Sequence, residues 1–302
     1  MIQILVGDVL TRLAEMEDNS VNCIVTSPPY WGLRDYGVDG QLGLEKTPEE
    51  HVAKMVKVFA EVKRVLRDDG TAWVNYGDCY AGGGPHHGDA NLGKSGTNKG
   101  SRGAIDRFPP NLKPKDLVGI PWRVAFGLQA DGWYLRSDII WQKPNAMPES
   151  VTDRPTKSHE YVFLLSQQPR YYYDADAVKE PAASTSIARR KRQDLRQKKG
   201  WAEAYHGNPP QGLAADKGSK LRNLRDVWTI STKPYRDAHF ATFPEALVEP
   251  CVKAGCPEGG TVLDPFGGAG TTCLVSERLG RHSVMIELSR EYAEIAKKRL
   301  LG

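Results

Sequence analysis

The sequence predicts an α/β fold built on a parallel sheet. Short β-rich runs alternate with segments of helical periodicity along most of the 302 residues. Two of those runs end in turns rich in glycine or proline, and open α/β sheets bind ligands at such strand ends. The composition, 40% apolar and 26% charged, is that of an ordinary globular chain and excludes collagen-like and wholly disordered classes.

Ile2–Val6 and Val21–Thr26 read as strands. Thr47-Pro-Glu-Glu50 reads as a helix start, with Thr47 as N-cap, Pro48 at the first position and Glu50 closing a capping box. Val52, Met55, Val56, Phe59, Val62 and Leu66 then recur at helical spacing. Asp68-Asp-Gly70 ends that helix, and Thr71–Tyr76 is the next strand. Residues 82–103 hold eight glycines in 22 positions and cannot build a core, so a mobile loop is expected there. Asp116–Ala130 reads as helical despite Pro121, and Trp133–Trp141 and Tyr161–Ser166 read as strands. A helix near Pro244–Gly255, a strand Thr261–Leu263, a helix from about Gly270 to Leu279, a strand Ser283–Ile286 and a helix from Ser289 complete the chain.

The net charge of +4 is unevenly spread. Residues 181–225 carry eleven Lys/Arg against three Asp/Glu, and the rest of the chain is net acidic. That segment implies a polyanionic partner. It divides the chain into 1–180, a basic insert 181–225, and 226–302. No apolar run approaches the roughly 20 residues of a membrane span. Met1–Asp8 meets an acid without a basic leader, unlike a signal peptide. The five cysteines form no CxxC pair, which argues against a disulfide framework or a zinc ribbon and fits buried thiols in a reducing cytoplasm. His86-His87 lacks partners at metal-ligand spacing, so no metal is expected.

Two stretches carry chemistry. In Val262-Leu-Asp-Pro-Phe-Gly-Gly-Ala-Gly-Thr-Thr272 a buried strand runs into a glycine-rich turn and opens a helix. Glycines admit close approach of a ligand, and the helix start offers unpaired N–H groups. Cys273 stands where the third glycine of a dinucleotide fingerprint would be, so a pyrophosphate is not specifically indicated. Glu287, ending the next strand, suits both hydroxyls of a ribose. The second stretch is Thr26-Ser-Pro-Pro-Tyr-Trp31, again at a strand end. Pro28 and Pro29 remove two N–H donors, which leaves the Ser27 hydroxyl and backbone carbonyls as acceptors. Such a surface suits an amino group with two hydrogens to donate. Tyr30 offers a flat face for a planar ring, and Trp31 reads either as pocket wall or as core.

These two motifs, in this order, resemble the beta group of DNA amino-methyltransferases. Gly7-Asp8, the strand Thr71–Asp78, Asp138-Ile-Ile-Trp-Gln-Lys-Pro144, His159-Glu-Tyr161 and His239-Phe-Ala-Thr-Phe-Pro244 extend the resemblance over most of the chain. It implies a Rossmann-like methyltransferase fold of circularly permuted motif order, S-adenosylmethionine as donor, and the amino nitrogen of a flipped base in double-stranded DNA as acceptor. Ser27, Pro28, Pro29 and Tyr30 would be catalytic. Asp8, Thr242, Phe243, Asp264, Phe266, Gly267, Gly268, Gly270, Thr271 and Glu287 would bind the cofactor, although Asp8 reads nearly as well as a turn acid. Glu245, beside Thr242–Pro244, already satisfies the helix dipole there.

Arg189, Arg190, Lys191, Arg192, Arg196, Lys198 and Lys199, with Lys217, Lys220, Arg222 and Arg225, would meet DNA phosphates, and Gln193, Gln197, Asn208, Gln211 and Asn223 would read bases. Serine at position 27 leans toward cytosine N4 within the family, where aspartate is the more usual adenine form; both bases stay open. A homodimer is left open too, and a cytoplasmic, nucleoid-associated location is expected. The rival readings are an RNA or protein amide methyltransferase with the same pocket, a nicotinamide-dependent dehydrogenase and a catalytically silent DNA-binding module. Cys251, in a helix ahead of the glycine turn, reads as structural rather than as a nucleophile.

Overall fold

The structure, a computed structural model, describes residues 1–33, 35, 37–82, 111–182, 220–233 and 243–301. The chain forms two compact units, Met1–Tyr173 with Asp226–Gly302, and Asp174–Arg225.

Among the described residues, the larger unit is built on an eight-stranded sheet. Its strands are β1 (Ile2–Val6), β2 (Val21–Thr26), β3 (Leu66–Tyr76), β4 (Tyr134–Gln142), β5 (His159–Ser166), β8 (Val227–Thr229), β9 (Thr261–Asp264) and β10 (His282–Glu287). Their spatial order is β1-β10-β9-β2-β3-β5-β4-β8. The strands from β1 to β3 run parallel, and β5 is antiparallel to both neighbours. The expected parallel α/β sheet is thus mixed, with an antiparallel member near one side.

Helices α1 (Val9–Ala14), α2 (Pro48–Val65), α3 (Ile120–Ala130), α4 (Glu245–Gly255), α5 (Thr271–Arg278) and α6 (Arg290–Leu301) flank the sheet. Alternation along β3 explains the layers. Ala72, Val74 and Tyr76 join the core formed with Met55, Phe59 and Val62 of α2 and with Ile120, Val124 and Leu128 of α3. Trp73 and Asn75 face the opposite side, where Leu247, Val248 and Cys251 of α4 lie.

The helix starts explain two boundaries. Thr47 Oγ1 accepts from Glu50 N at 3.1 Å, as a cap should, while Glu50 Oε2 reaches Lys46 N rather than that of Thr47. The helix expected from Asp116 begins at Ile120 instead. Gly119, at φ +76°, is its N-cap, and Pro121 falls in the first turn, where its missing N–H costs nothing. Leu66 leaves the helix and starts β3, because Val21 of β2 pairs with it. Asp68-Asp-Gly70 therefore lies within a strand.

The smaller unit holds a two-stranded ladder, β6 (Glu180–Pro181) with β7 (Leu221–Arg222). Glu180 Oε1 accepts from Arg222 Nε at 2.8 Å and from Arg225 Nε at 2.6 Å. Two arginines assigned to the DNA face by sequence thus share an internal carboxylate. The glycine-rich residues 83–103 lie outside the described residues.

Candidate active site

β2 and β9 are parallel neighbours, with Cys23 opposite Val262 and Ile24 opposite Leu263. The turns that follow them therefore leave the sheet at one edge. Asp264, 1% exposed, ties the two together. Its Oδ1 accepts from Thr26 Oγ1 at 2.7 Å and from Phe266 N at 3.1 Å, and its Oδ2 from Thr272 Oγ1 at 2.8 Å. Burial pushes this carboxyl up to about 6 against those hydrogen bonds.

The glycine turn is shaped by its lack of side chains. A Cβ on Gly267 would stand 2.7 Å from Met285 Cβ. At Gly268, φ +52°, nothing lies within 4 Å of that position, so the chain passes there beside open space. Gly268 N donates to Glu287 Oε2, and Ser289 N to Glu287 Oε1, each at 2.8 Å. Each carboxylate oxygen keeps a second lone pair for a hydroxyl. Burial raises the Glu287 carboxyl above its ordinary value against the two backbone N–H bonds. Gly270, at φ +75°, caps α5. Thr271 is buried, and its hydroxyl accepts from Arg299 Nη1 at 2.9 Å.

The turn after β2 is a hydrogen-bonded cluster. Ser27 Oγ lies 3.2 Å from Tyr30 Oη and 3.3 Å from Asn75 Oδ1. Tyr30 Oη lies 2.9 Å from both Asn75 Oδ1 and Glu160 Oε2. Asn75 Nδ2 donates to Glu160 Oε2 at 3.2 Å and to the Tyr161 carbonyl at 3.0 Å. Lys143 Nζ pairs with Glu160 Oε1. Burial, followed by the nearby Glu160 charge, holds the Tyr30 phenol well above its ordinary range, so it stays protonated. One face of its ring stacks on Tyr76 at 5.4 Å between centroids. Tyr76 Oη in turn meets His51 Nε2 at 2.8 Å, and His51 Nδ1 meets Glu45 Oε2 at 2.9 Å.

A narrow cavity lies between the ends of β2 and β3 and helix α4. Thr26 and Asn75 line it with Phe243, Leu247 and Cys251. Phe243, assigned to the cofactor by sequence, is one wall of this cavity. Asp8 caps α1, with its Oδ1 accepting from Thr11 N at 3.0 Å. Glu245, in the first turn of α4, is paired with Arg278 at 2.8 Å and Arg299 at 3.2 Å. Trp31 is core: it is 1% exposed and gives its N–H to the Glu45 carbonyl at 2.8 Å. Cys251 is buried, its thiol pushed up by burial. Thr242, His86-His87 and the basic residues Arg189–Arg192, Arg196, Lys198 and Lys199 lie outside the described residues.

Residues 21–298 match the N6_N4_Mtase family, described as DNA methylase. The chain belongs to this family. It is 47% identical over 302 residues to the type II methyltransferase M.SmaI of Serratia marcescens, covering 99% of this chain and 90% of the relative. It is 48% identical over 300 residues to M.Cfr9I of Citrobacter freundii, covering 98% and 86%. The fold matches a DNA modification methylase of Thermus thermophilus complexed with S-adenosyl-L-methionine, with a TM-score of 0.60 at 22% identity over 99% of this chain and 93% of that one. It also matches the PvuII DNA methyltransferase, whose structure is described as cytosine-N4-specific, with a TM-score of 0.66 at 20% identity over 100% and 86%.

Family membership makes the chain a beta-group DNA amino-methyltransferase that uses S-adenosylmethionine. Its acceptor is the exocyclic amino group of a base taken out of the duplex, since that group is otherwise engaged in pairing. The RNA, protein amide, dehydrogenase and silent-module readings fall away. Among the described residues no helix is long and apolar enough to cross a membrane, and no group of three or more His, Cys, Asp or Glu is placed to hold a metal. Asn75, Lys143 and Glu160 lie in segments that carry the family resemblance, yet the sequence alone assigns them no role.

Proposed function

We propose that the turn after β2 binds the target base and the turn after β9 binds the cofactor, so that the permuted motif order of the chain is undone at one edge of the sheet. The observation carrying this reading is the parallel pairing of β2 with β9, clamped by Thr26 and Asp264 at 2.7 Å. Open sheets bind ligands at such an edge. The residues there suit S-adenosylmethionine. Gly268 leaves space beside the chain, and Glu287 keeps lone pairs for the ribose hydroxyls. Phe266 and Phe243 supply flat apolar surface, and Asp264 holds the turn in shape.

When bound, the cofactor supplies an electrophilic methyl group on a sulfonium sulfur. The chain's part is positioning and electrostatics. Ser27 Oγ and the Pro28 carbonyl accept the two N–H groups of the base, which draws the nitrogen toward a pyramidal shape and localises its lone pair. Pro29 keeps the turn rigid. Tyr30, neutral and backed by Tyr76, lays its other face on the flipped ring. Ser27 favours cytosine N4 as the acceptor, because adenine-directed relatives more often carry aspartate there. The basic insert 181–225 meets the phosphates, which puts the working enzyme on the nucleoid.

Expression in a host lacking DNA methylation, followed by nucleoside mass spectrometry and single-molecule sequencing, tests this reading. N4-methylcytosine in one short motif is expected, with N6-methyladenine as the contrary result for the base. Tyr30→Ala and Pro29→Ala should abolish the mark. Full methylation by both would remove Ser27–Tyr30 from the mechanism. Sedimentation of the chain with and without its DNA decides whether it acts as a homodimer.

A further inference from the structure

The geometry points to Glu160 as the terminal acceptor of the proton that the amino nitrogen loses, reached through Ser27 and Tyr30. This inference rests on the base-binding role of Ser27–Tyr30 given above.

Transfer of a methyl group to nitrogen creates a disposal problem. The N–C bond forms with the nitrogen lone pair as the methyl–sulfur bond returns its pair to sulfur. The nitrogen then carries a positive charge and one proton too many. Ser27 is its hydrogen-bond partner, but a neutral hydroxyl is a poor final base. The chain behind Ser27 supplies a better one. Glu160 pairs with Lys143, and a carboxylate in an ion pair accepts only, so the Tyr30 hydroxyl points its hydrogen at Glu160 Oε2 or at Asn75 Oδ1, each 2.9 Å away. The Ser27 hydrogen then points inward as well, to Tyr30 Oη at 3.2 Å or Asn75 Oδ1 at 3.3 Å. Both Ser27 lone pairs are left for the incoming N–H.

This polarity suits one direction of transfer. The nitrogen gives its proton to Ser27 Oγ, Ser27 gives its own to Tyr30 Oη, and Tyr30 gives its own to Glu160 Oε2. Ser27 and Tyr30 end as they began, the base is neutral and methylated, and Glu160 is protonated. The Glu160 and Lys143 side chains are 16% and 18% exposed, so water reaches the pair and takes the proton away. The groups facing Glu160 are Tyr30 from the turn, neutral Asn75 from β3, Lys143 from the end of β4 and Lys157 ahead of β5. Lys157 is lowered by burial, and Asp78 and Glu160 act against that.

The test uses the full chain with S-adenosylmethionine and a DNA duplex bearing its mapped site. Single-turnover rates are measured from pH 5 to 9 for wild type, Glu160→Gln, Glu160→Asp and Lys143→Met. Cofactor and DNA dissociation constants are measured by titration. Glu160→Gln is expected to slow transfer by about 10²-fold at neutral pH, to lose the acid limb of the profile and to bind both ligands within about twofold of wild type. Glu160→Asp should restore part of the rate. Lys143→Met should move the acid limb to higher pH, because a favourable charge has gone. A Glu160→Gln enzyme that keeps its rate or its acid limb overturns the inference, as does one whose ligand binding falls in step with its rate. An unmoved limb in Lys143→Met overturns it too. Ser27→Ala separates the two readings: if it methylates normally, the base-binding role itself fails, whereas a dead Ser27→Ala beside an active Glu160→Gln removes only the proton path.

Discussion

Thr26 Oγ1 donates to Asp264 Oδ1 across 2.7 Å, joining residues 238 positions apart on the two strands that end at the site. The carboxyl is fully buried, and desolvation lifts it to about 6. An unfolded aspartate ionises near 4, so the unfolded chain gains from ionisation first. Folding stability therefore falls as pH rises from about 4 to about 6, and the loss stays constant above that. Two units correspond to about 3 kcal/mol. Asp264→Asn lacks this titration and is expected to gain up to about 3 kcal/mol on wild type between pH 4.5 and 7.5. Urea unfolding at both pH values checks it. Parallel stabilities would contradict the ionisation.

Glu45 titrates in the opposite sense. Burial raises its carboxyl, but the hydrogen bond with His51 and the pairing with Lys54 outweigh burial and hold it at about 2. Its stabilisation is complete above the unfolded value of about 4.5 and is lost as pH falls toward 2. Glu45→Gln should cost about 3 kcal/mol at pH 7, with the deficit closing as the buffer is taken below pH 4. A deficit that stays the same at pH 3 would refute this.

Neighbouring glycines should fail differently. Gly267→Ala meets Met285 Cβ at 2.7 Å and should lose about 1–3 kcal/mol of stability. Gly268→Ala meets nothing within 4 Å but is held at φ +52°, a strain of about 1–2 kcal/mol. Its methyl enters the space assigned to the cofactor, so affinity for S-adenosylmethionine should drop by at least about tenfold. Thermal unfolding and calorimetric titration of both variants separate the effects, and unchanged affinity in Gly268→Ala would move the cofactor elsewhere.

Gly77 packs against Tyr30, the proposed platform for the base. A Cβ there would lie 2.5 Å from Tyr30 Cε2, so Gly77→Ala must tilt the ring. Displacement of about 1 Å at a reacting group costs about 10²-fold. The expected result is a kcat reduced to that extent with cofactor affinity preserved. Normal turnover would show that the Tyr30 ring needs no fixed seat.

Neutralising Arg189, Arg190, Lys191 and Arg192 should weaken DNA binding and flatten its salt dependence by about 0.9 logarithmic units for each phosphate left without its cation. Cofactor affinity should stay the same. Filter binding at three or more salt concentrations checks it, and an unaltered slope would place the phosphate-binding cations outside this run.

Local signals were legible wherever one residue type does one job. The β-branched runs of β1 and β2 stand at their expected bounds, and Thr47 caps α2. The Ser27–Tyr30 and Asp264–Thr271 turns end the strands they were read on. What escaped depended on distant partners. α1 has only six residues and too few turns to display a period. Asp68-Asp-Gly70 reads as a helix terminator, yet β2 pairing draws Leu66 into the strand that carries it. Asn75, Lys143 and Glu160 become one cluster only because β5 runs antiparallel to both β3 and β4, which places Asn75 opposite Val162 and Trp141 opposite Glu160. No spacing along the chain encodes that register.

β9 and β10 separate β1 from β2 in the sheet, with Ile2 opposite Ser283 and Cys23 opposite Val262. On the ribosome, the first two strands therefore emerge with bare edges, and each waits for partners more than 230 residues downstream. Closure of such distant pairs is slow, and the waiting edges invite association with other nascent chains. A growing chain cannot close this sheet, nor complete the edge proposed to hold base and cofactor, until residue 287 has cleared the exit tunnel.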